Sequence, residues 1–222
     1  PDNIVAKDSE NRHSGLGGSS FSGGWDVDTF TIGDSTYAIA TGYINSSVVI
    51  IDISNPAAIV MKDHTGSSEF NALSYPNSVD TFVIGDSTYA IITSVGDDGV
   101  WIIDISDPED MVLKDSETDE ANSFDVLDRP EGVDTFVIGD STYAIVASSI
   151  DDGVQIIDIS DPDNIVAKDS ETDEANSFDE LDGARSVSTF TIGDSTYAIV
   201  ASHTDDGVQI IDISDPDNIV AK

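Results

Sequence analysis

Three Asp-Asp-Gly tripeptides begin at Asp97-Asp98, Asp151-Asp152 and Asp205-Asp206. Two carboxylates beside a sharp turn, with backbone carbonyls close by, could ligate Ca2+, a hard cation that collects about six to eight oxygens. Asp-Gly is also a strong hairpin signal, because both residues tolerate the backbone of a tight turn, and the turn reading is preferred. An earlier segment carries Asn45-Ser46-Ser47 at the matching place, so a cation site of this kind would be missing there. Denser still is DSETDEANSFDELD (169–182), with seven acids in fourteen residues, among them Asp169, Glu171 and Asp173. Residues 115–128 nearly repeat it, 63–78 hold two acids, and 8–26 are rich in Gly and Ser. The EF-hand spacing is absent. Ca2+ binding therefore competes with a solvated acidic face suited to salty water, and the latter is preferred.

The remaining candidates are weaker. Asp52, Asp104, Asp158 and Asp212 each follow two isoleucines in an apolar run. A carboxylate there needs hydrogen bonds, and recurrence in every copy favours a structural acceptor at a strand end over a catalyst. His13, His64 and His203 have no metal-ligand spacing. GLGGSS (15–20) lacks the Gly-Lys ending of a phosphate loop. No G-x-S-x-G and no Cys occurs. Trp25 and Trp101 break the repetition, and Trp25, just ahead of an expected strand, could stack on a sugar or a partner side chain or simply fill a gap.

Forty-four acids face eight Lys plus Arg, a net charge of −36. Such a surface repels phosphate backbones and excludes nucleic-acid binding. It gains from cations that screen its self-repulsion. No apolar run reaches the ~18 residues of a membrane helix, so direct membrane insertion is not expected. No basic, apolar leader opens the sequence, which begins inside a repeat.

The elements that must position these residues come from self-similarity. The stretch V-[DS]-T-F-[TV]-I-G-D-S-T-Y-A-I starts at Val27, Val79, Val133 and Val187, offsets of 52, 54 and 54 residues. Each unit reads as four strands. V-D-T-F-T-I alternates, Gly-Asp turns, T-Y-A-I-V-A returns, Asp-Asp-Gly turns, V-Q-I-I-D-I-S runs apolar, Asp-Pro stops it, and N-I-V-A-K-D makes a short charged outer strand. The predicted class is all-β: a β-propeller with four visible four-stranded antiparallel blades and a period of about 54 residues. The repeats span 27–78, 79–132, 133–186 and 187–222, and 1–26 supply the outer strand of a preceding repeat plus a Gly/Ser-rich connection. Phe178 and Leu181 are expected to plug the end of a blade from a surface loop.

The third-strand signature V-[QWV]-I-I-D-I-S-[DN]-P, at 48–56, 100–108, 154–162 and 208–216, together with the STYAIVAS strand before it, resembles the LVIVD repeat of bacterial and archaeal surface proteins. The resemblance implies a propeller that is exported or surface-attached, with no common activity. The acidic connections are longer than that pattern.

These readings lead to a non-catalytic, acidic interaction or scaffold module, extracellular or on the cell surface, with a protein or glycan partner and with Ca2+ as the cation that could stabilise it. A fibre- or layer-forming repeat protein and a metal-dependent propeller hydrolase or lyase are the alternatives. The heptapeptide PDNIVAK at both ends makes five outer strands for four blades. The four blades are expected to close, leaving one outer strand spare for self-association.

Overall fold

A computed structural model describes residues 8–9, 21–66, 70 and 73–222. Among them are sixteen strands in four sheets. The first strands are β1 (Gly24–Ile32), β5 (Pro76–Ile84), β9 (Pro130–Ile138) and β13 (Ala184–Ile192); the second are β2 (Ser35–Gly42), β6 (Ser87–Ser94), β10 (Ser141–Ser148) and β14 (Ser195–Ser202). The third are β3 (Ser47–Asp52), β7 (Gly99–Asp104), β11 (Gly153–Asp158) and β15 (Gly207–Asp212); the outer ones are β4 (Val60–Gly66), β8 (Val112–Thr118), β12 (Val166–Thr172) and β16 (Val220–Ala221). Each sheet is antiparallel in sequence order. The four sheets are the blades of an all-β propeller, with β1, β5, β9 and β13 packed side by side as the innermost strands.

Local chemistry sets the register. Ile32 pairs with Ser35 and Ile192 with Ser195, so Gly-Asp forms a two-residue hairpin loop with positive φ at the glycine, +60° at Gly33 and +63° at Gly193. The Asp-Asp-Gly turn is built differently. The left-handed residue is the second aspartate, at φ of 50° in Asp98 and 52° in Asp152, not the glycine. Gly is required for another reason: a Cβ on Gly99 would meet the Glu117 carbonyl oxygen at 2.4 Å, and one on Gly153 the Glu171 carbonyl oxygen at 2.6 Å. The outer strand lies too close for a side chain. That strand is also longer than N-I-V-A-K-D: β12 runs through Asp169 and Glu171, past a bulge opposite Gln155 and Ile157.

The core lies between blades. At the junction of the third and fourth, Phe136, Ile145, Val154 and Ile156 meet Val187, Ala198, Val200 and Ile211, with Phe178 and Leu181 closing the end, both wholly buried. Phe124 and Leu127 do the same one junction earlier, so the plug reading is correct. Exposure breaks this regularity at the two ends. Val27 is 59% exposed where Val79, Val133 and Val187 are at most 9%; Val208 is 56% exposed where Val48, Val100 and Val154 are at 0%. Among the described residues the blades make an arc with an open seam between first and last, and the expected closure is not seen. The C-terminal PDNIVAK stays on its own blade, Val220 and Ala221 pairing with Asp212 and Ile211. The other copy, residues 1–7, lies outside the described residues, as do His13 and GLGGSS.

Candidate functional site

The sequence-predicted acids prove to be fasteners. In each Asp-Asp-Gly the first carboxylate ties down the connection entering its own blade: Asp128 N–H donates to Asp151 Oδ2 at 2.7 Å, and Asp182 N–H to Asp205 Oδ2 at 2.8 Å. Asp97 Oδ2 accepts from Ser74 N–H and Ser94 Oγ–H. Asn45 Oδ1 takes the same part for Ser22 N–H, which explains the substitution in the first blade. The second residue reaches forward to the next blade. Asp98 Oδ1 accepts from Arg129 N–H at 3.0 Å, Asp152 Oδ1 from Gly183 N–H at 2.8 Å, and Ser46 Oγ from Tyr75 N–H at 3.1 Å. Asp206 occupies the same turn on the fourth blade. Adjacent carboxylates thus form a two-armed clamp.

The long acidic connection is fastened in the same manner. Asp169 accepts from Ser170 N–H and, across the junction, from Ile219 N–H at 2.8 Å. Asn176 Nδ2–H donates to both oxygens of Glu171, and Leu181 N–H to Asp173 Oδ1. No group of three acids or histidines among the described residues is placed to hold a metal ion. The strand-end aspartates follow suit: Asp52, Asp104, Asp158 and Asp212 each accept the N–H two residues on, from Ser54, Ser106, Ser160 and Ser214. Hydrogen bonds from Ser54, its N–H first, hold the Asp52 carboxyl below the ordinary range, and those from Ser214, its hydroxyl first, do the same for Asp212 with help from Lys222.

One set of acids escaped notice in the sequence. Asp28, Asp80 and Asp134 sit on the inner strands and lock consecutive blades. Thr81 donates its N–H and hydroxyl to Asp28 Oδ2 at 2.9 and 2.5 Å, and Thr135 does so to Asp80 Oδ2 at 2.8 and 2.6 Å; Thr189 N–H donates to Asp134 Oδ2 at 2.6 Å. Burial, with the charges of Asp134 and Asp28 added, pushes Asp80 up to about 6 against the Thr135 bonds. Burial likewise pushes Asp151 up to about 6. The signal was available in V-D-T-F, where Asp recurs three times and Ser188 replaces it in the fourth.

The surface left without a fastening role is aromatic. Trp25 lies inside β1, at the position of Asn77, Glu131 and Arg185 on the other inner strands, rather than ahead of it. Its ring stacks on Tyr43, centroids 5.0 Å apart, and Tyr43 lies 5.0 Å from Tyr75. Trp25 is 62% and Tyr75 47% exposed. The row crosses from the first blade to the second at the blade face that carries the acidic clamps. Beside it Asn77 is buried and donates to the Glu131 carbonyl and carboxylate, while its Oδ1 has no partner. Trp101, in contrast, is core, 2% exposed between the first two blades. The sequence pointed to Trp25; Tyr43 and Tyr75 were hidden among turn residues that only the fold brings together.

The LVIVD repeat family model matches residues 42–65, 83–128, 136–172 and 194–222. No curated protein matches the chain. Among solved structures, a protein from Lactobacillus plantarum superposes with a TM-score of 0.61 at 13% identity, over 84% of this chain and 53% of its own. An exo-β-1,3-galactanase from Phanerochaete chrysosporium gives 0.57 at 11%, over 91% and 50%. A thermostable family-43 glycoside hydrolase gives 0.57 at 12%, over 92% and 74%. The chain thus spans about half the length of the first two, and these likenesses concern the fold.

Proposed function

The chain belongs to the LVIVD repeat family, and from that premise we propose that it is a non-catalytic, acidic interaction module of the cell exterior whose ligand is a glycan. The observation that carries this reading is the Trp25–Tyr43–Tyr75 row. Exposed, mutually stacked rings are costly to leave in water unless something covers them, and flat aromatic faces suit the C–H faces of sugar rings. The acids of the second turns and inner strands weigh against catalysis, because they recur from blade to blade and hold backbone N–H groups at the junctions. A charge of −36 suits a salty exterior and disfavours anionic polymers, so the expected ligand is neutral.

The name of the exo-β-1,3-galactanase makes β-1,3-galactan the first probe, followed by other neutral polysaccharides. Affinity electrophoresis and calorimetry should show binding without release of reducing sugar. Replacing Trp25 or Tyr75 by Ala should lose most of that affinity with the circular dichroism and melting temperature nearly unchanged, since both rings are exposed. Binding indifferent to both substitutions would refute the aromatic row. Sugar release that survives repurification would refute the non-catalytic part and favour the hydrolase.

A further inference from the structure

Each forward arm of the clamp ends on the same position of the next blade. That position is Tyr75 in the second blade, Arg129 in the third and Gly183 in the fourth, and Gly23 is its counterpart in the first. All four are left-handed, with φ of 70° at Gly23, 53° at Tyr75, 58° at Arg129 and 70° at Gly183. Glycine takes that conformation freely, whereas a bulky side chain pays in backbone energy. Two blades keep the glycine. The second and third, each with a blade on either side, carry Tyr and Arg instead. Tyr75 is 47% exposed and the Arg129 side chain 45%, so core packing does not account for either.

The same corner of the fold holds the residues in which the repeats differ most. V-[DS]-T-F-[TV]-I hardly varies, but two residues beyond the left-handed position the blades carry Trp25, Asn77, Glu131 and Arg185. Across the second turn, Tyr43 N–H donates to the Gly23 carbonyl and Ser149 N–H to that of Arg129, so Tyr43 and Ser149 are counterparts. Where the first blade stacks Trp25 on Tyr43, the third sets Glu131 against Ser149, whose hydroxyl donates to Glu131 Oε1 at 3.2 Å. Arg129 Nε lies 2.9 Å from that oxygen, and Asn77 Nδ2–H donates to Glu131 Oε2 at 3.0 Å. Asn77 stands two residues from Tyr75, so the aromatic row and this polar group adjoin across the second junction.

We propose, on the premise that the ligand is a glycan, that its site runs from the aromatic row of the first two blades to Arg129 on the third. The rings take the C–H faces of one part of the sugar chain. The Arg129 guanidinium, positioned by Glu131, donates to hydroxyls of residues further along. Among the described residues no second acid pairs with Arg129, so its outer N–H groups are available. Glu131 cancels its charge and Asp98 holds its backbone N–H, so the locality stays negative and suits hydroxyls rather than a carboxylate or sulfate. The ligand class is then an internal segment of a neutral polysaccharide, longer than the single sugar or short end that the rings alone would hold.

Calorimetry of the full chain with β-1,3-galactan, β-1,3-glucan and β-1,4-mannan, each as polysaccharide and as oligosaccharides from disaccharide to hexasaccharide, tests this. Affinity of the wild type should rise with length by about tenfold, the value of one charge-assisted hydrogen-bonding contact. R129G, which installs the glycine of the first and fourth blades, should melt close to the wild type, because glycine fits the backbone and Asn77 and Ser149 still hold Glu131. It should bind the hexasaccharide no better than the disaccharide. E131Q, which unpairs the guanidinium, should lose a smaller part of the same gain, and W25A should weaken binding at every length. An R129G protein that keeps the length dependence, with W25A still harmful, overturns the extension and leaves the aromatic row standing. An R129G protein that melts well below the wild type shows Arg129 to be serving the fold and also overturns the extension. A wild type that binds no member of the panel overturns the glycan premise and the extension together.

Discussion

Replacing Asp80 by Asn should stabilise the protein at neutral pH and leave it unchanged in acid. Asp80 accepts two hydrogen bonds from Thr135, yet its carboxyl is pushed up to about 6 from an ordinary 3.8 by burial and by the charges of Asp134 and Asp28. A native pKa above the unfolded one means that the folded state holds the proton more tightly between those values. The associated stability is therefore fully present below about pH 4 and is lost as pH climbs through 6. At ~1.4 kcal/mol per unit, the rise is worth up to ~3 kcal/mol. Partial solvent exposure and the weaker bonds of an amide reduce this to about 1.5 kcal/mol. For a chain of this size that corresponds to ~3–6 °C in melting temperature.

The assay is paired thermal or urea unfolding of wild type and D80N from pH 3.5 to 8. The gap should be near zero at the acid end, open between pH 4 and 6.5, and stay constant above. D52N supplies the opposite sign. Ser54 holds Asp52 below its usual range, so that residue's stabilisation exists above the unfolded pKa and is lost as pH falls. D52N should therefore be slightly less stable than wild type at neutral pH and equal to it in acid. A D80N protein weaker than wild type at pH 8, or a gap independent of pH, would show that the Thr135 bonds outweigh desolvation and refute the reasoning.

Two further outcomes follow from the junctions. Phe178→Ala removes a wholly buried ring that closes the third junction and should cost about 3–5 kcal/mol in urea unfolding; a loss under 1 kcal/mol would mean that the plug is dispensable. At matched ionic strength, CaCl2 should raise the melting temperature no more than MgCl2, because Asp97, Asp151 and Asp205 already hold N–H groups; a Ca2+-specific rise reversed by EDTA would show a cation site in the acidic turns.

The fold was legible because each unit states its strands, turns and stops in the same order four times. The two-residue Gly-Asp hairpin, the Asp-Pro stop and the Phe–Leu plug could all be read from residue type alone. The site was less legible for a physical reason. Periodicity within a strand shows which side chains share a face but not what the neighbouring blade brings to it. Asp80 and Thr135 are 55 positions apart, and Tyr43 meets Tyr75 only because consecutive blades set their turns side by side. Equal repeats likewise specify how one blade sits on the next, and the exposure of Val27 and Val208 at the seam between the first and fourth blades is not written in any one of them.

The acids gain a different meaning once the junctions are known. A surplus of carboxylates reads from composition as a halophilic coat, spread over whatever surface faces water. In this protein much of the surplus sits at fixed points: one carboxylate on the inner strand, two in the second turn and one on the outer strand, each accepting a backbone N–H of its own or the following blade. Backbone N–H groups at a junction between sheets have no ladder partner and must be satisfied by side chains or water. An acceptor-only carboxylate does this for one or two donors at once, with charge-assisted bonds. Much of the negative charge thus scales with the number of junctions, and a cost in self-repulsion comes with it. Added salt should then stabilise the junctions themselves by relieving repulsion among acids that cannot move apart, while a variant that swaps only loop acids such as Asp125 and Asp179 for Asn should lose little of that response.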